Sequence, residues 1–276
     1  MADFEPDEIG NWSEVKLDIL REYAAAYSKI LSAQSKPKFD HVYIDGFAGA
    51  GLHRSRERGD LIKGSPIIAL EIEPPFKEYH FVDLNRSKAE FLMKSIEGSP
   101  TAQVYHGDCN DILLQRVFPR VRYEDFRRGL CVLDPYGLNL KWEVMKTAGQ
   151  MKSIDMFLDF MVMDMNRNVL WKDPKKVSPG QAARLNLFWG DKSWDQVAYV
   201  KQETLFGSEE QKTTNKDIVQ AFRERLKKLA GFKYVPEPIP MKNKSGATIY
   251  YLFFASQKPV AADIVTSIFT KYRNRG

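Results

Sequence analysis

Residues 43–51 constrain the fold of this chain more than any other stretch. An apolar run ends in Asp45, and two glycines, Gly49 and Gly51, follow with one residue between them. The run is typical of a buried strand, and closely spaced glycines let a backbone turn sharply and approach a ligand. We therefore predict a buried strand that ends in a ligand-binding turn.

Two other interpretations of this turn remain open. A dinucleotide site would have a third glycine where a helix begins, so that the helix N-terminus faces a diphosphate. Arg54 occupies that position, within the charged run 53–58. A cofactor without a diphosphate therefore fits the pattern better. An ordinary tight turn after a buried strand has the same short pattern.

Strand and helix patterns alternate through the first 160 residues or so of the chain. Apolar runs followed by segments with helical periodicity predict a parallel sheet with helices on both faces. The predicted strands are 41–45, 78–84, 102–107, 130–133 and 154–162, and the predicted helices between them are 66–73, 86–96, 110–117 and 141–149. Two further strands, 232–241 and 247–256, are joined by a connection so short that they must pair as an antiparallel hairpin.

The length of 276 residues and a hydrophobic content of 43% allow a sizeable core. We predict a single domain over 1–276, with an N-terminal amphipathic helix at 13–32 capped by Ser13. We interpret 52–63 as an exposed loop and about 164–214 as a helical insertion, because the strand and helix rhythm stops there. Helices are also expected from Asn215 to about 229 and at about 260–273.

Aspartates follow the predicted strands at or near their ends. Asp45, Asp83, Asp108 and Asp134 occupy these positions in four successive strands. Ligands of open parallel sheets bind beyond the carboxyl ends of the strands, so these carboxylates are expected at one crevice. A carboxylate such as Asp83 can accept hydrogen bonds from both hydroxyls of a ribose. Asp83 and Asp108 are also positioned to cap the helices that follow.

Several motifs resemble a known family. Asp45, Phe47, Gly49 and Gly51 form a pattern similar to the first motif of class I S-adenosylmethionine-dependent methyltransferases. More specifically, the chain resembles the three-Cys-motif partner protein family. That resemblance spans nearly the whole chain and is carried by 12–17, 43–51, 64–66, 107–110 and 133–137.

The resemblance implies a Rossmann-like class I methyltransferase fold, with a mainly parallel seven-stranded sheet, and S-adenosylmethionine as the cofactor. It implies that Asp45 meets the methionine amino group, Asp83 the ribose and Asp108 the adenine. The cofactor site would comprise Asp45, Phe47, Gly49, Gly51, Asp83, Asp108 and Cys109.

The segment Asp134, Pro135, Tyr136 occupies the place of the acceptor motif of amino-methyltransferases, where polar oxygens hold an exocyclic amine and the aromatic ring stacks on the base. These residues are the expected catalytic group. The chain has one proline where that motif has two. By the resemblance, a nitrogen of a nucleic acid base is the leading acceptor, and Arg54, Arg56, Arg58, Lys175 and Lys176 are candidates for phosphate contacts.

Two other functions stay open. The single proline favours a cofactor-binding subunit that works with a three-cysteine-motif protein. A metal-assisted O-methyltransferase would use Asp134, Asp164 and Asn166 as oxygen ligands for Mg²⁺. We assign none of the four histidines to a metal site, and two cysteines are too few for a disulfide framework.

A net charge of +5 is compatible with a polyanionic partner. No apolar run reaches the length of a membrane span, and the acidic first residues do not form a signal peptide. We therefore expect a cytoplasmic protein that does not bind membranes.

Overall fold

The computed structural model describes residues 5–204, 207–273 and 275, and it describes their side chains except those of Lys175 and 202–210. Its centre is a mixed seven-stranded sheet with helices on both faces. The α/β architecture predicted from the sequence is thus confirmed.

The central sheet contains β2 (Asp40–Asp45), β5 (Glu78–Asp83), β6 (Ala102–His106), β7 (Arg127–Leu133), β8 (Ile154–Phe160), β11 (Ile239–Lys242) and β12 (Thr248–Ala255). Their order across the sheet is β11, β12, β8, β7, β2, β5, β6. The first five in the chain run parallel. β12 runs antiparallel to both β8 and β11, as expected for the C-terminal hairpin. After β2, the chain adds β5 and β6 on one side of that strand. It then crosses back and adds β7 and β8 on the other side of β2.

Helices cover the sheet in two layers with separate apolar clusters. One layer contains α1 (Asn11–Ser32), α2 (Ser65–Leu70), α3 (Arg86–Ser95) and α10 (Pro259–Tyr272). The other contains α4 (Cys109–Ile112), α5 (Trp142–Met151), α6 (Val162–Asn168), α7 (Pro179–Trp189), α8 (Trp194–Ala198) and α9 (Asn215–Lys228). The inward side chains of the strands alternate between the two clusters, because successive residues of a strand point to opposite faces.

The prediction that 52–63 is a loop was wrong. Its two ends form β3 (Leu52–Ser55) and β4 (Leu61–Lys63), which pair as a hairpin. The N-terminal strand β1 (Asp7–Ile9) adds to β3 and makes a small three-stranded sheet. A charged surface hairpin shows no hydrophobic run, so the sequence had no strong strand signal here.

Smaller differences concern where elements begin. Helix α1 starts at Asn11 with Gly10 as its N-cap, so Ser13 is not the cap. The strand expected at 232–241 is confined to Ile239–Lys242, although Tyr234 forms one isolated bridge with Ser256. The segment interpreted as a helical insertion also contains a hairpin of β9 (Tyr199–Thr204) and β10 (Gly207–Lys212).

Within the described ranges, every helix is too short or too polar to cross a lipid bilayer.

Gly149 offers a direct test of how tightly α5 packs. A Cβ at this position would lie 2.2 Å from the carbonyl oxygen of Ala230, which is backbone and cannot swing away. We expect Gly149→Ala to lower the free energy of unfolding by about 1–3 kcal/mol in urea titrations, as overpacking does. Gly180→Ala is the matched control. Gly180 is also helical but has open space around it, so that alanine should leave stability unchanged or raise it by up to about 1 kcal/mol.

Candidate functional site

A cavity of about 1000 Å³ lies at the carboxyl edge of the central sheet. The ends of β2, β5, β6 and β7 open into it, and α1 and β1 form part of its wall. Eight of the residues expected at a cofactor or acceptor site line this cavity: Phe47, Gly49, Asp83, Asp108, Cys109, Asp134, Pro135 and Tyr136. Two expected cofactor residues, Asp45 and Gly51, do not line it.

The glycine turn is joined directly to the end of the neighbouring strand. The backbone N–H of Gly49 donates a hydrogen bond of 2.8 Å to Oδ2 of Asp83. Gly49 has φ +62°, and no atom lies within 4 Å of the place a Cβ would take. The open space above Gly49 leaves its backbone accessible from the cavity. The other oxygen of Asp83 accepts a hydrogen bond from the N–H of Asn85, so this carboxylate is fixed from two sides.

Gly51 has a different reason to be glycine. It has φ +78°, and a Cβ there would lie 2.9 Å from Leu92 and 3.2 Å from Ile67. The residue therefore lets helices α2 and α3 pack closely beneath the turn. It shapes the cavity floor from below and does not face the ligand space.

Asp45 supports the turn from inside the protein. Its side chain is buried; Oδ1 accepts from the N–H of Phe47 at 3.1 Å, and Oδ2 accepts from the hydroxyl of Ser65 at 2.5 Å. Gly64 is the N-cap of α2, and the hydroxyl of Ser65, the first residue of that helix, is committed to Asp45. The direct contact expected between Asp45 and a methionine amino group is therefore not available in this arrangement.

Asp108 and Asn110 organise the next strand end. Oδ1 of Asp108 accepts from both the backbone N–H and the side-chain amide of Asn110, so Asp108 does cap α4. The amide of Asn110 also donates to the carbonyl oxygen of Asn139, and its oxygen accepts from the N–H of Lys141. Asn110 thus ties this turn to the loop that follows β7. Burial raises the pKa of Cys109 to about 12, so its thiol is neutral at the cavity wall.

The loop after β7 presents three residues with different exposure. Pro135 is buried, while the carboxylate of Asp134 keeps 44% of its surface accessible and Tyr136 keeps 71%. The ammonium of Lys88 lies 5.8 Å from the centre of the Tyr136 ring and also pairs with Asp7 of β1. Asp134 is therefore at the inner end of the loop, and Tyr136 is an exposed flat ring at the mouth of the cavity.

A buried lysine lies against the inner end of this loop. Nζ of Lys16, in α1, is 2.5 Å from Oδ2 of Asp134 and 2.9 Å from Oδ2 of Asp159, in β8. Lys16 and Asp159 are only 6% and 1% exposed. Burial alone would lower the pKa of Lys16, but the two carboxylates outweigh it and hold that pKa well above its usual value. The lysine is therefore a cation.

Sequence reasoning missed Lys16 and Asp159. Each carries a charge within an apolar pattern: Lys16 lies between Val15 and Leu17 on the buried side of α1, and Asp159 lies between Leu158 and Phe160. A charge at a position where the pattern predicts burial is an unusual feature, because buried charges require partners. That signal was present in the sequence, although it does not reveal which partner each charge meets.

The ionisable residues that line the cavity are nearly balanced in charge. Five are acidic, Asp7, Glu8, Asp83, Asp108 and Asp134, and four are basic, Lys16, Lys88, Lys141 and Arg184. Burial lowers the pKa of His53, which also lines the cavity, so this histidine is neutral. The lining therefore carries a slight excess of negative charge. It suits a ligand with a net positive charge better than a diphosphate.

The arginines proposed for phosphate contacts have partners in the small sheet, in the turn between β3 and β4 and in α1. Arg54 donates to the carbonyl of Gly59. Arg56 lies over the ring of Trp12, 3.8 Å from Glu8, and Arg58 pairs with both Glu14 and Asp60. Lys176 lies 3.9 Å from Asp173, and the side chain of Lys175 is outside the described residues. The three arginines thus stabilise the hairpin, and their guanidinium groups have partners.

The oxygen ligands proposed for Mg²⁺ each have a partner within the protein. Asp134 pairs with Lys16. Asp164 accepts from Asn168, and the oxygen of Asn166 accepts from Lys212. Across the described residues, no three His, Cys, Asp or Glu side chains form a group that could hold a metal ion. Binding of Mg²⁺ by the proposed set would require Asp134 to separate from Lys16 and Asn166 to separate from Lys212.

Comparison with solved structures bears on the fold. Protein LPL1258 from Legionella pneumophila strain Philadelphia 1, of family DUF519, is 13% identical and aligns with a TM-score of 0.51, over 97% of this chain and 94% of its own. The chain shares that fold. The methyltransferase domain of the bacterial protein CtHen1-CN is also similar, at a TM-score of 0.41 and 9% identity, over 86% of this chain and 99% of that one. No protein-family model matches the sequence, and no curated protein matches it.

Asp45 makes the stability of the protein depend on pH. Burial raises its pKa from an ordinary 3.8 to about 6, so the folded state binds this proton more tightly than the unfolded state does. The fold favours the protonated form of Asp45. The contribution of this preference to stability is therefore fully present below about pH 4, and it is lost as the pH rises through 6. Asp45→Asn cannot ionise. We expect the free energy of unfolding of this variant, relative to wild type, to increase by roughly 2 kcal/mol between pH 4 and pH 7.

The measurement is urea unfolding at a series of pH values. Asp263→Asn, which removes an exposed carboxylate on α10, controls for the loss of one charge. A difference between Asp45→Asn and wild type that stays constant across this range would contradict the assignment.

Proposed function

We propose that this protein is an S-adenosylmethionine-dependent methyltransferase that acts on a nitrogen of a nucleic acid base. The observation that carries the proposal is the junction of Gly49 and Asp83: an open glycine backbone is bonded to a carboxylate at the end of the next strand, at the floor of one cavity. The sequence motifs resemble those of methyltransferases at these same residues.

The cofactor fits the polar groups of the cavity in a definite order. The backbone at Gly49 allows the methionine part to lie close to the turn. The carboxylate of Asp83 is the acceptor for the ribose hydroxyls, and the turn of Asp108 and Cys109 lies at the adenine end. The slight negative excess of the lining favours the sulfonium and ammonium charges of this cofactor. Asp45 then contributes by holding the turn in place.

The acceptor end of the cavity is formed by Asp134, Pro135 and Tyr136. The exposed ring of Tyr136 offers a face on which an unstacked base can lie, and the carboxylate of Asp134 lies deeper as an acceptor for an N–H group. Because the sulfonium is already a good leaving group, the protein chiefly has to align the nitrogen with the methyl carbon. Phosphates of a nucleic acid would lie outside this cavity.

A second candidate function is a cofactor-binding subunit that needs a protein partner, such as a three-cysteine-motif protein. It is favoured by three large apolar side chains exposed at the mouth of the cavity: Leu84 at 73%, Tyr136 at 71% and Leu187 at 57%. Such groups are commonly covered by a partner or a substrate. In that case the cavity binds the cofactor, but transfer requires the partner.

Cofactor binding is tested by titrating the purified protein with S-adenosylmethionine and S-adenosylhomocysteine in a calorimeter. We expect micromolar binding, weakened at least tenfold, or about 1.4 kcal/mol, by Asp83→Ala, because the ribose loses its acceptor. Asp263→Ala, a carboxylate removed far from the cavity, should bind like wild type. Absence of binding to the wild-type protein would refute both candidate functions.

The acceptor is tested by transfer of a tritiated methyl group to RNA, DNA and protein. We expect transfer to a nucleic acid, reduced about tenfold or more by Tyr136→Ala and retained in Tyr136→Phe, since base stacking contributes roughly 1–3 kcal/mol. Tyr123→Ala, which removes another exposed tyrosine, should have no effect. Cofactor binding without transfer to any of the three acceptors would favour the partner-dependent subunit.

A further inference from the structure

One lysine and two carboxylates meet at the inner end of the cavity, and their charges do not cancel if all are ionised. The ammonium of Lys16 neutralises one negative charge, but it lies within 2.9 Å of oxygens from both Asp134 and Asp159. A second unpaired charge on Asp159, which is 1% exposed, would be costly in a medium that solvates it poorly. Two carboxyl groups this close to each other favour retention of one proton.

The two carboxyl groups differ in their access to water, which decides where the proton lies. Asp134 is 44% exposed through the cavity, whereas the side chain of Asp159 is enclosed between α1 and the sheet. We propose that Lys16 and Asp159 are positioning residues for Asp134: Lys16 is the cation, Asp159 keeps a proton and donates it in a hydrogen bond to Asp134, and Asp134 is the single anion that faces the cavity.

The electrostatics of the cluster agree with this distribution. Burial, followed by the charge of Asp134, raises the pKa of Asp159 well above its usual value despite the nearby lysine. For Asp134, burial acts in the same upward direction, but Lys16 and the hydrogen bond from Asp159 outweigh it and lower the pKa. The proton is thus held mainly by Asp159. The cation of Lys16 and the anion of Asp134 then make the cluster of three groups neutral overall.

The groups that face the cluster from other elements leave this count unchanged. Tyr43 in β2 and Tyr250 in β12 are neutral, because burial raises the pKa of both hydroxyls well above the usual value. His53 in β3 is neutral because burial lowers its pKa. Asp45, whose pKa is about 6, is ionised above that pH but has its own donors in Phe47 and Ser65. None of them supplies a cation that could stabilise an ionised Asp159.

The arrangement gives Asp134 a defined task in the reaction, a step that rests on the proposed function. The lone pair of the acceptor nitrogen attacks the methyl carbon; the N–C bond forms, the C–S bond breaks, and its electron pair stays on sulfur. The nitrogen, now cationic, releases one proton to the carboxylate of Asp134, which passes it to water through the open cavity. Asp159 keeps its proton throughout. Lys16 holds Oδ2 of Asp134, and the hydrogen bond from Asp159 restrains the same carboxylate, so that its exposed side is directed to the substrate.

The proton count is measured on the full-length protein without any acceptor. At pH 8, where Asp45 is ionised, infrared difference spectra of wild type against Asp159→Asn should show the loss of a protonated carboxyl band. Loss of an ionised carboxylate band in its place would overturn the proposal. Carboxyl carbon NMR of labelled wild-type protein gives the same count if the variant does not fold. It should show an aspartate that is still protonated at pH 8, and detection of aspartates in ionised form alone would overturn the proposal.

The positioning role is tested by exchanging the donor. An asparagine at position 159 still offers N–H to Asp134, so Asp159→Asn should retain methyl transfer within about threefold of wild type. Asp159→Leu, which has a similar volume but no donor, should lose at least tenfold in transfer while binding S-adenosylmethionine normally. Equal transfer by the two variants would contradict the role. Failure of the wild type to bind the cofactor would instead refute the proposed function and leave the infrared count valid.

Discussion

The contact of Lys16 with Asp134 and Asp159 is the constraint on which the geometry of the cavity depends. It joins α1 to the ends of β7 and β8, elements far apart in the chain. Removing one member of a buried ion pair usually costs about 3–5 kcal/mol, because the remaining charge is left without a partner. Apolar packing holds α1 against the sheet, and such packing tolerates small shifts. The lysine does not tolerate them, so it fixes the position of α1 and with it one wall of the cavity.

The parallel sheet then brings the polar groups of the cavity to one edge, and each strand end needs only a few residues to do so. Because β2, β5, β6 and β7 run in the same direction, their carboxyl ends meet at one edge, and each turn contributes a side chain there. The turns are linked to one another by hydrogen bonds: Gly49 donates to Asp83, Asn110 donates to Asn139, and Lys141 donates to Asn110. The loops at this edge therefore support one another, and the cavity does not rely on any single loop for its shape.

The sequence predicted what local patterns determine and missed what distant contacts determine. Apolar periodicity and turn residues located the seven strands of the sheet and its antiparallel hairpin, and the aspartates at strand ends located the cavity. The small sheet of β1, β3 and β4 escaped because its strands are short, polar and partly exposed. Likewise, the pattern at Ser65 fits a helix cap, and only the folded chain shows that Asp45 takes its hydroxyl. Asp159 and Lys16 lie 143 residues apart, a separation that no local pattern spans.

Under the proposed function, the charge balance of the cavity would also influence the direction of methyl transfer. The sulfonium of S-adenosylmethionine carries a positive charge that is lost when the methyl group leaves, so the product thioether gains less from the acidic lining than the substrate does. At the acceptor end, the positive charge of Lys16 and the negative charge of Asp134 cancel each other, and a protonated Asp159 adds no charge. The carboxylates that remain unbalanced are nearer to the glycine turn and the strand ends. Under the proposed function, an arrangement of this kind would hold the charged cofactor at one end and leave the other end suited to a neutral nitrogen, which is the form that carries the lone pair required for attack.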